Sequence, residues 1–141
     1  MDYNNKDVII ARATPIGKSA LAIIRLSGSG LRGLTRNIVN CSDIQPNSIK
    51  LKKIDSTINN HTIDTCMVSF FASPKSFTGE DMIEITCHGN DFVVESIINE
   101  FLATGIRIAY PGEFSYRAYK KGKIDLLQAE SIAAKINQNT N

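Results

Sequence analysis

The sequence predicts an α+β fold (mixed α/β) in which a mixed sheet carries about four helices. Short apolar stretches with strand character alternate with segments whose apolar residues recur at helical spacing. Strands and helices are interleaved along the chain, which favours one sheet with helices packed on it. With 141 residues, 43% of them apolar, the chain is long enough to bury a core without disulfides or a structural metal.

The first forty residues predict two strands and a helix. Residues 7–13 read as a strand, and the near-continuous apolar run at 20–26 predicts a second strand that is mostly buried. Apolar residues then recur at helical spacing from Leu31 onward. We therefore expect a short amphipathic helix that is capped by Ser29 and ends near Asn40.

The middle of the chain predicts three further strands. Residues 49–54 form an exposed strand in this interpretation, and residues 61–71 form the next one. A turn-rich loop at 72–79 precedes residues 81–88, which alternate with period two. One face of that strand is apolar, and the other carries Met82, Glu84, Thr86 and His88.

The remaining residues predict three helices and a short strand. A helix at 92–102 begins at a cap supplied by Asp91, a strand follows at 106–110, and residues 111–121 form the next helix. A last helix begins at Asp125, where Gln128 occupies the capping-box position. Its apolar stripe has nothing downstream to cover it, which indicates that the chain is cut from a longer protein. The stripe consists of Ala129, Ile132, Ala133 and Ile136.

Composition limits the classes of function. The net charge of +2 and the pI near 8.4 are far below what a stand-alone nucleic-acid binder carries. No apolar run reaches the roughly 18 residues of a membrane span, and the first six residues lack the apolar core of a signal peptide. Three cysteines at irregular spacing are typical of reduced thiols, so we expect a cytoplasmic protein with no role at a membrane.

Arg25 and Glu84 are the strongest candidate site residues. Each is the only charge within an otherwise apolar strand interior, and an unpaired buried charge costs several kcal/mol. Each must therefore meet an opposite charge, water or a polar ligand. From the pattern alone, a structural salt bridge or a solvent-facing strand is the favoured explanation of the pair, ahead of a ligand. A second candidate is the basic cluster Lys120, Lys121 and Lys123, which complements a helix C-terminus or meets an anionic ligand.

Other constellations receive little support. Gly17-Lys18-Ser19 suggests a phosphate loop, but Arg12 stands where its first glycine belongs, and a strand rather than a helix follows. The two histidines, Cys66 and Cys87 lack metal-ligand spacing. No G-x-S-x-G nucleophile elbow occurs. We therefore predict no metal ligand and no catalytic residue in this chain.

Five ordered motifs resemble one family. They are A-T-P-x-G at 13–17, I-I-R-L-S-G at 23–28, S-F-T-G-E-D with I-E-I-T-C-H-G at 76–89, Y-P-G-E-F-S at 110–115, and G-K-I-D-L-L-Q-A-E-S-I-A at 122–133. Together they look like the N-terminal domain of the tRNA-modifying GTPases of the MnmE/TrmE family. The resemblance covers residues 7 to 136, nearly the whole chain.

The resemblance implies a folate-binding and dimerisation domain at residues 1–122, followed at 123–141 by the start of a helical domain. The family's fold is similar to the folate-binding part of the glycine-cleavage T-protein, and the domain binds 5-formyltetrahydrofolate as a one-carbon donor analogue and forms a homodimer. Carried over by motif, the folate contacts fall on Arg25, Glu84 and Lys123. The GTPase domain that uses GTP, Mg and K is missing from this chain.

The full-length family members work with a flavin-containing partner protein of the MnmG (GidA) type and place an aminomethyl-type group on the wobble uridine of tRNA. This segment alone is not expected to be catalytic. It departs from the family's glycine-rich pattern at Lys18, Ser19, Ala20 and Asn90. Since glycines allow close backbone approach, an alternative is a dimerisation scaffold that no longer binds folate. An independent one-carbon transferase ranks third.

Overall fold

The computed structural model describes residues 7–17 and 19–139. Within these residues, six strands form one mixed sheet in the order β3-β4-β5-β2-β1-β6, accompanied by four helices. The β1–β6 pair is parallel and the other neighbours are antiparallel. The predicted α+β class is thus confirmed. The elements are β1 Ile9–Arg12, β2 Leu21–Ser27, α1 Leu31–Thr35, β3 Ser48–Asp55, β4 Thr62–Phe71, β5 Met82–His88, α2 Asp91–Leu102, β6 Arg107–Ile108, α3 Glu113–Lys120 and α4 Leu126–Asn139.

The core lies between one face of the sheet and the helices α1 and α2. Strand alternation sends every second residue of β5 to this side, and helical spacing does the same for α2. Both predicted patterns are confirmed by burial. The inward residues are Ile83, Ile85 and Cys87 from β5 and Val94, Ile97 and Phe101 from α2, each at most 1% exposed.

The opposite face of the sheet is more open, and the strand register arranges its residues in rows. One row runs from Ile49 through Ser69 and Glu84 to Arg25. The next row runs from Leu51 through Met67 to Thr86 and Ile23. Ile49, Leu51 and Met67 are exposed. This face therefore combines a charged pair with apolar side chains that the described residues leave uncovered.

Helix α1 differs from the prediction at both ends. Gly30, in a left-handed conformation, precedes the helix, so Ser29 is not its cap. The helix ends at Thr35, and a turn follows in which the N–H groups of Ile38 and Val39 both donate to the Thr35 carbonyl. Ile38 and Val39 are nevertheless buried. Their spacing thus reflected burial in the core rather than a continuing helix.

The cap of α2 was also predicted wrongly. Asn90, not Asp91, precedes the helix, and its side-chain oxygen accepts from the N–H groups of Phe92 and Val93 at 2.8 and 3.4 Å. Asp91 is the first helical residue and binds Arg12 instead. The helix itself lies where it was predicted.

The C-terminal elements are shorter than predicted, except α4. Strand β6 has two residues rather than five, because the Tyr110 N–H turns toward the Glu113 carboxylate and Pro111 has no N–H to donate. The capping box of α4 is confirmed by reciprocal bonds between Asp125 and Gln128 at 2.7 and 2.9 Å. In its predicted stripe, Ala129 and Ile132 are half-buried, whereas the side chains of Ala133 and Ile136 are outside the described part. Among the described residues, no helix is long and apolar enough to cross a membrane.

Candidate ligand site on the open sheet face

Arg25 and Glu84 face each other across β2 and β5. The register pairs them directly, and the Arg25 Nε donates to Glu84 Oε2 at 3.2 Å. Their side chains are 41% and 28% exposed, so the pair is not sealed in a dry interior. Within the described residues, the second Glu84 oxygen and the two terminal amino groups of Arg25 make no hydrogen bond. The pair thus keeps donor and acceptor capacity for a ligand.

A cavity of about 500 Å³ lies beside Arg25. Ala11 and Arg25 of the sheet line one side of it, and Phe77 from the loop between β4 and β5 lines another. Tyr110, between β6 and α3, and Phe114, in the first turn of α3, complete the aromatic lining. The volume falls within the 300–1,000 Å³ typical of small-molecule sites, and apolar and aromatic walls with few polar groups are the usual lining.

Lys123 follows α3 and contacts the same β4–β5 loop. Its Nζ donates to the Pro74 carbonyl at 3.0 Å, and its backbone N–H donates to Ala118 at 2.8 Å. The side chain is exposed and makes no hydrogen bond or ion pair with Arg25 or Glu84. The structure therefore brings two of the three predicted ligand contacts together, and it places the third against the loop that carries Phe77.

A largely buried ion-pair network, which no local sequence pattern predicted, fixes the loop and α3. Arg117 Nη2 lies 2.7 Å from Asp7 Oδ1, and its Nη1 lies 3.1 Å from Glu80 Oε1. Arg107 pairs with both Asp7 and Glu113, at 2.6 Å each. Glu80 and Glu113 belong to the motifs T-G-E-D and P-G-E-F, and this was the available signal.

The carboxylates of this network are held in the charged form. Burial raises the pKa of Glu113, but hydrogen bonds from Arg107 and from the Tyr110 N–H outweigh it, so the net pKa lies below its ordinary value. The pKa of Asp7 is likewise lowered, because Arg107 and Arg117 outweigh the effect of burial. The network thus persists at neutral pH.

The network reaches the candidate site through Ser27. The Ser27 hydroxyl donates to Glu80 Oε1 at 2.8 Å and lies 2.7 Å from the Thr78 hydroxyl. Ser27 is two residues from Arg25 on the same face of β2, and Thr78 neighbours Phe77. The network therefore sets the position of the cavity wall relative to the sheet.

The phosphate-loop pattern forms no phosphate cradle. The Gly17 N–H donates to Asp91 Oδ1 at 3.3 Å, and Arg12 binds the same oxygen at 2.6 Å. The chain then continues into β2 rather than into a helix. Lys18 lies outside the described residues.

The His and Cys candidates form no metal centre among the described residues. His88 Nδ1 lies 2.8 Å from Asp64 Oδ1, and the Cys66 thiol contacts the other oxygen of Asp64 at 3.6 Å. Burial raises the pKa of Asp64, but hydrogen bonds from the His88 backbone and ring have a larger opposite effect. The net pKa of Asp64 is therefore below its ordinary value. Cys87 donates to the Ala22 carbonyl instead.

Two departures from the glycine-rich pattern are accommodated locally. Asn90 replaces a glycine and supplies the cap of α2. Ser19 lies so close to Gly89 that a Cβ at position 89 would overlap the Ser19 carbonyl. The glycine that the local packing requires is therefore retained.

The fold and the site define an α+β domain with a candidate ligand cavity on its open sheet face. The chain belongs to the family described as the N-terminus of the GTP-binding protein TrmE, whose model matches residues 8–123.

Several relatives carry the name tRNA modification GTPase MnmE. The protein from Fervidobacterium nodosum is 43% identical over 135 residues, which cover 93% of this chain and 29% of the relative. That from Thermotoga maritima is 44% identical over 129 residues, covering 89% and 28%. That from Oceanobacillus iheyensis is 41% identical over 137 residues, covering 95% and 30%. The chain thus spans less than a third of the length of these relatives.

Proposed function

We propose that this chain is the N-terminal module of a cytoplasmic tRNA-modifying GTPase. In this proposal, residues 1–122 bind 5-formyltetrahydrofolate and form a homodimer, and residues 123–141 begin a helical domain. The full-length protein modifies the wobble uridine of tRNA together with a flavin-containing partner of the MnmG type. GTP, Mg and K bind outside this chain. Family membership and the names of the relatives support this assignment.

The observation that carries the folate proposal is the partly exposed Arg25–Glu84 pair, of which Arg25 lines the cavity. A pterin ring presents its 2-amino group and an adjacent ring N–H side by side, and a carboxylate accepts such a donor pair in two parallel bonds. Glu84 Oε1 is able to accept one of these bonds, and Oε2, which already accepts from Arg25 Nε, has a second lone pair for the other. Arg25 and Lys123 are suited to the anionic glutamate tail and the formyl oxygen, and the half-exposed Phe77 offers a ring for stacking.

The apolar residues of the open sheet face support the homodimer. Ile49, Leu51 and Met67 lie on neighbouring strands and remain exposed. Contiguous exposed apolar surface is typical of protein–protein interfaces. The dimer in this proposal buries that surface against a second copy.

Calorimetric titration of 5-formyltetrahydrofolate tests the site. We expect saturable binding by the native chain and a loss of about tenfold or more for Glu84→Gln, which keeps the shape but removes the charged acceptor. Lys123→Gln should weaken binding less, since its ammonium group is exposed. Glu95→Gln, an exposed position on α2, is the matched control and should bind like the native chain. Unchanged affinity for Glu84→Gln would remove the folate assignment.

Sedimentation equilibrium tests the dimer separately. Met67→Lys places a charge in the apolar row and should dissociate the dimer, whereas Ile58→Lys, at an exposed position of the β3–β4 connection, should leave it intact. A chain that is monomeric before any substitution contradicts the dimer assignment.

The second candidate function is a dimerisation scaffold without folate. It is favoured by the mutual neutralisation of Arg25 and Glu84, which requires no ligand. The two measurements separate the candidates, because a scaffold dimerises but shows no saturable heat with the folate. Turnover by the isolated chain would instead indicate a one-carbon transferase.

A further inference from the structure

Two arginines and two lysines lie on the helix side of the sheet, near the edge formed by β3. Asp43, which binds both lysines, directly follows Ser42, which lines a cavity together with both arginines. Lys50 and Lys52 pair in register with the buried Val68 and Cys66, so they point to the side that carries α1. Arg25 and Glu84 lie on the opposite face. We call the group formed by Arg32, Arg36, Lys50 and Lys52 the basic surface.

The Asp43 carboxylate forms ion pairs with two of these cations. Lys50 Nζ lies 2.8 Å from Asp43 Oδ2, and Lys52 binds the other oxygen. These hydrogen bonds lower the pKa of Asp43 to about 2. Four positive charges and one negative charge leave a formal +3, which exceeds the +2 of the whole chain. Positive charge is therefore concentrated here rather than spread evenly.

Neither arginine forms an ion pair within the part of the chain that the structure describes. The Arg32 guanidinium lies 4.5 Å from the centre of the buried Phe70 ring, which holds it in place. Arg36 makes no hydrogen bond or ion pair with any described side chain. Both arginines line a cavity of about 250 Å³ together with Asn40 and Ser42. Two guanidinium groups and two polar side chains thus line one open cavity, which we call the recess.

Gly33 lies between the two arginines and lines the same recess. A Cβ at this position would meet nothing within 4 Å, so packing does not require a glycine. In a helix, glycine costs about 1 kcal/mol relative to alanine. Its presence here weakens α1 and leaves the helix backbone open to close approach from outside.

We propose that the basic surface docks the phosphate backbone of RNA. The proposal rests on the proposed function, in which tRNA is the substrate of the full-length protein. Arginine forks match phosphate oxygens in two parallel bonds, and the Asn40 and Ser42 side chains are suited to phosphate or ribose 2′-hydroxyl groups. The site positions the backbone and reads no bases. An anionic membrane is the competing source of phosphates.

Fluorescence anisotropy with unmodified tRNA tests the basic surface. We expect the double variant Arg32→Gln/Arg36→Gln to bind about tenfold more weakly at low salt, with the slope of log K against log salt reduced by about 1.5 to 2. Gly33→Glu should weaken binding in the same direction by filling and charging the recess. The matched control is Lys53→Gln/Lys75→Gln, which removes the same charge at exposed positions outside the basic surface and should stay within about twofold of the native chain.

Three outcomes overturn the proposal. The control and the double variant lose tRNA affinity equally, the double variant binds tRNA like the native chain, or the double variant loses binding to phosphatidylserine vesicles while its tRNA binding stays intact. Circular dichroism excludes misfolding as the cause of a loss. Folate titration of the same variants separates this proposal from the proposed function. If the arginine variants bind both folate and tRNA like the native chain, the basic surface is refuted and the folate site is not. If the native chain does not bind folate but the arginine variants bind tRNA more weakly as expected, the folate site is refuted and the basic surface is not.

Discussion

Arg117 and Glu80 form an ion pair that is almost completely buried. Arg117 Nη1 lies 3.1 Å from Glu80 Oε1, and the two side chains are 2% and 6% exposed. The pair joins α3 to the loop that supplies Phe77 to the candidate cavity. Loss of one partner would leave an uncompensated charge in the interior, which is far more costly than loss of an exposed pair.

We expect Arg117→Met to destabilise the chain by about 3–5 kcal/mol, because Glu80 and Asp7 would lose their buried partner. Urea unfolding followed by circular dichroism measures the change. Lys120→Met, an exposed position on the same helix, should change the free energy of unfolding by less than about 0.5 kcal/mol. Similar values for the two variants would show that the network contributes little to stability.

Acid should weaken the fold through the same network. The pKa values of Asp7 and Glu113 are lowered in the folded chain, so the unfolded chain takes up protons first as the pH falls. Their stabilising contribution is therefore complete above the ordinary values of 3.8 and 4.5 and is lost as the pH falls through the lower folded-state values. Urea midpoints between pH 6 and pH 3 should fall, and Glu113→Gln should flatten that dependence. A urea midpoint that does not change with pH would contradict a stabilising contribution from these two carboxylates.

Local sequence patterns predicted the elements that are determined by a short stretch of neighbouring residues. The alternation of β5 gave the strand and its buried face, and Asp125 with Gln128 gave the start of α4. The pairing of Arg25 with Glu84 was left open, because it depends on β2 and β5 becoming neighbours although 59 residues separate the two charges. Such a register is decided by the assembled sheet rather than by either strand.

Long-range partners also explain the wrong caps and the missed network. Asn90 and Asp91 are both good capping residues by type, and only the position of Arg12, 79 residues away, decides that Asp91 forms an ion pair. Arg107 and Asp7 are 100 residues apart. Charges that look exposed in the sequence therefore become partly buried ion-pair partners only in the folded chain.

The two neighbouring residues at the start of α2 can be distinguished by mutation. Asn90→Ala removes the oxygen that accepts from the first helical N–H groups and should cost about 1 kcal/mol. Asn90→Asp keeps the acceptor and should stay near the native value. Asp91→Ala removes a partly exposed ion pair and should cost less than Asn90→Ala. Thermal unfolding ranks the three, and an Asn90→Ala variant as stable as the native chain would contradict a stabilising cap at Asn90.

The three cysteine thiols should be unreactive in the folded chain. Cys41, Cys66 and Cys87 are each at most 2% exposed. Burial raises the pKa of Cys41 to about 11 and also raises the pKa values of Cys66 and Cys87, so little of the reactive thiolate forms at neutral pH. We expect a thiol-specific disulfide reagent to label the native chain more than about tenfold more slowly than the urea-unfolded chain. The unfolded chain should react with three equivalents of the reagent, one for each cysteine. Rapid labelling of one thiol in the native chain would show that its part of the core opens readily, and the three single Cys→Ser variants would identify which thiol it is.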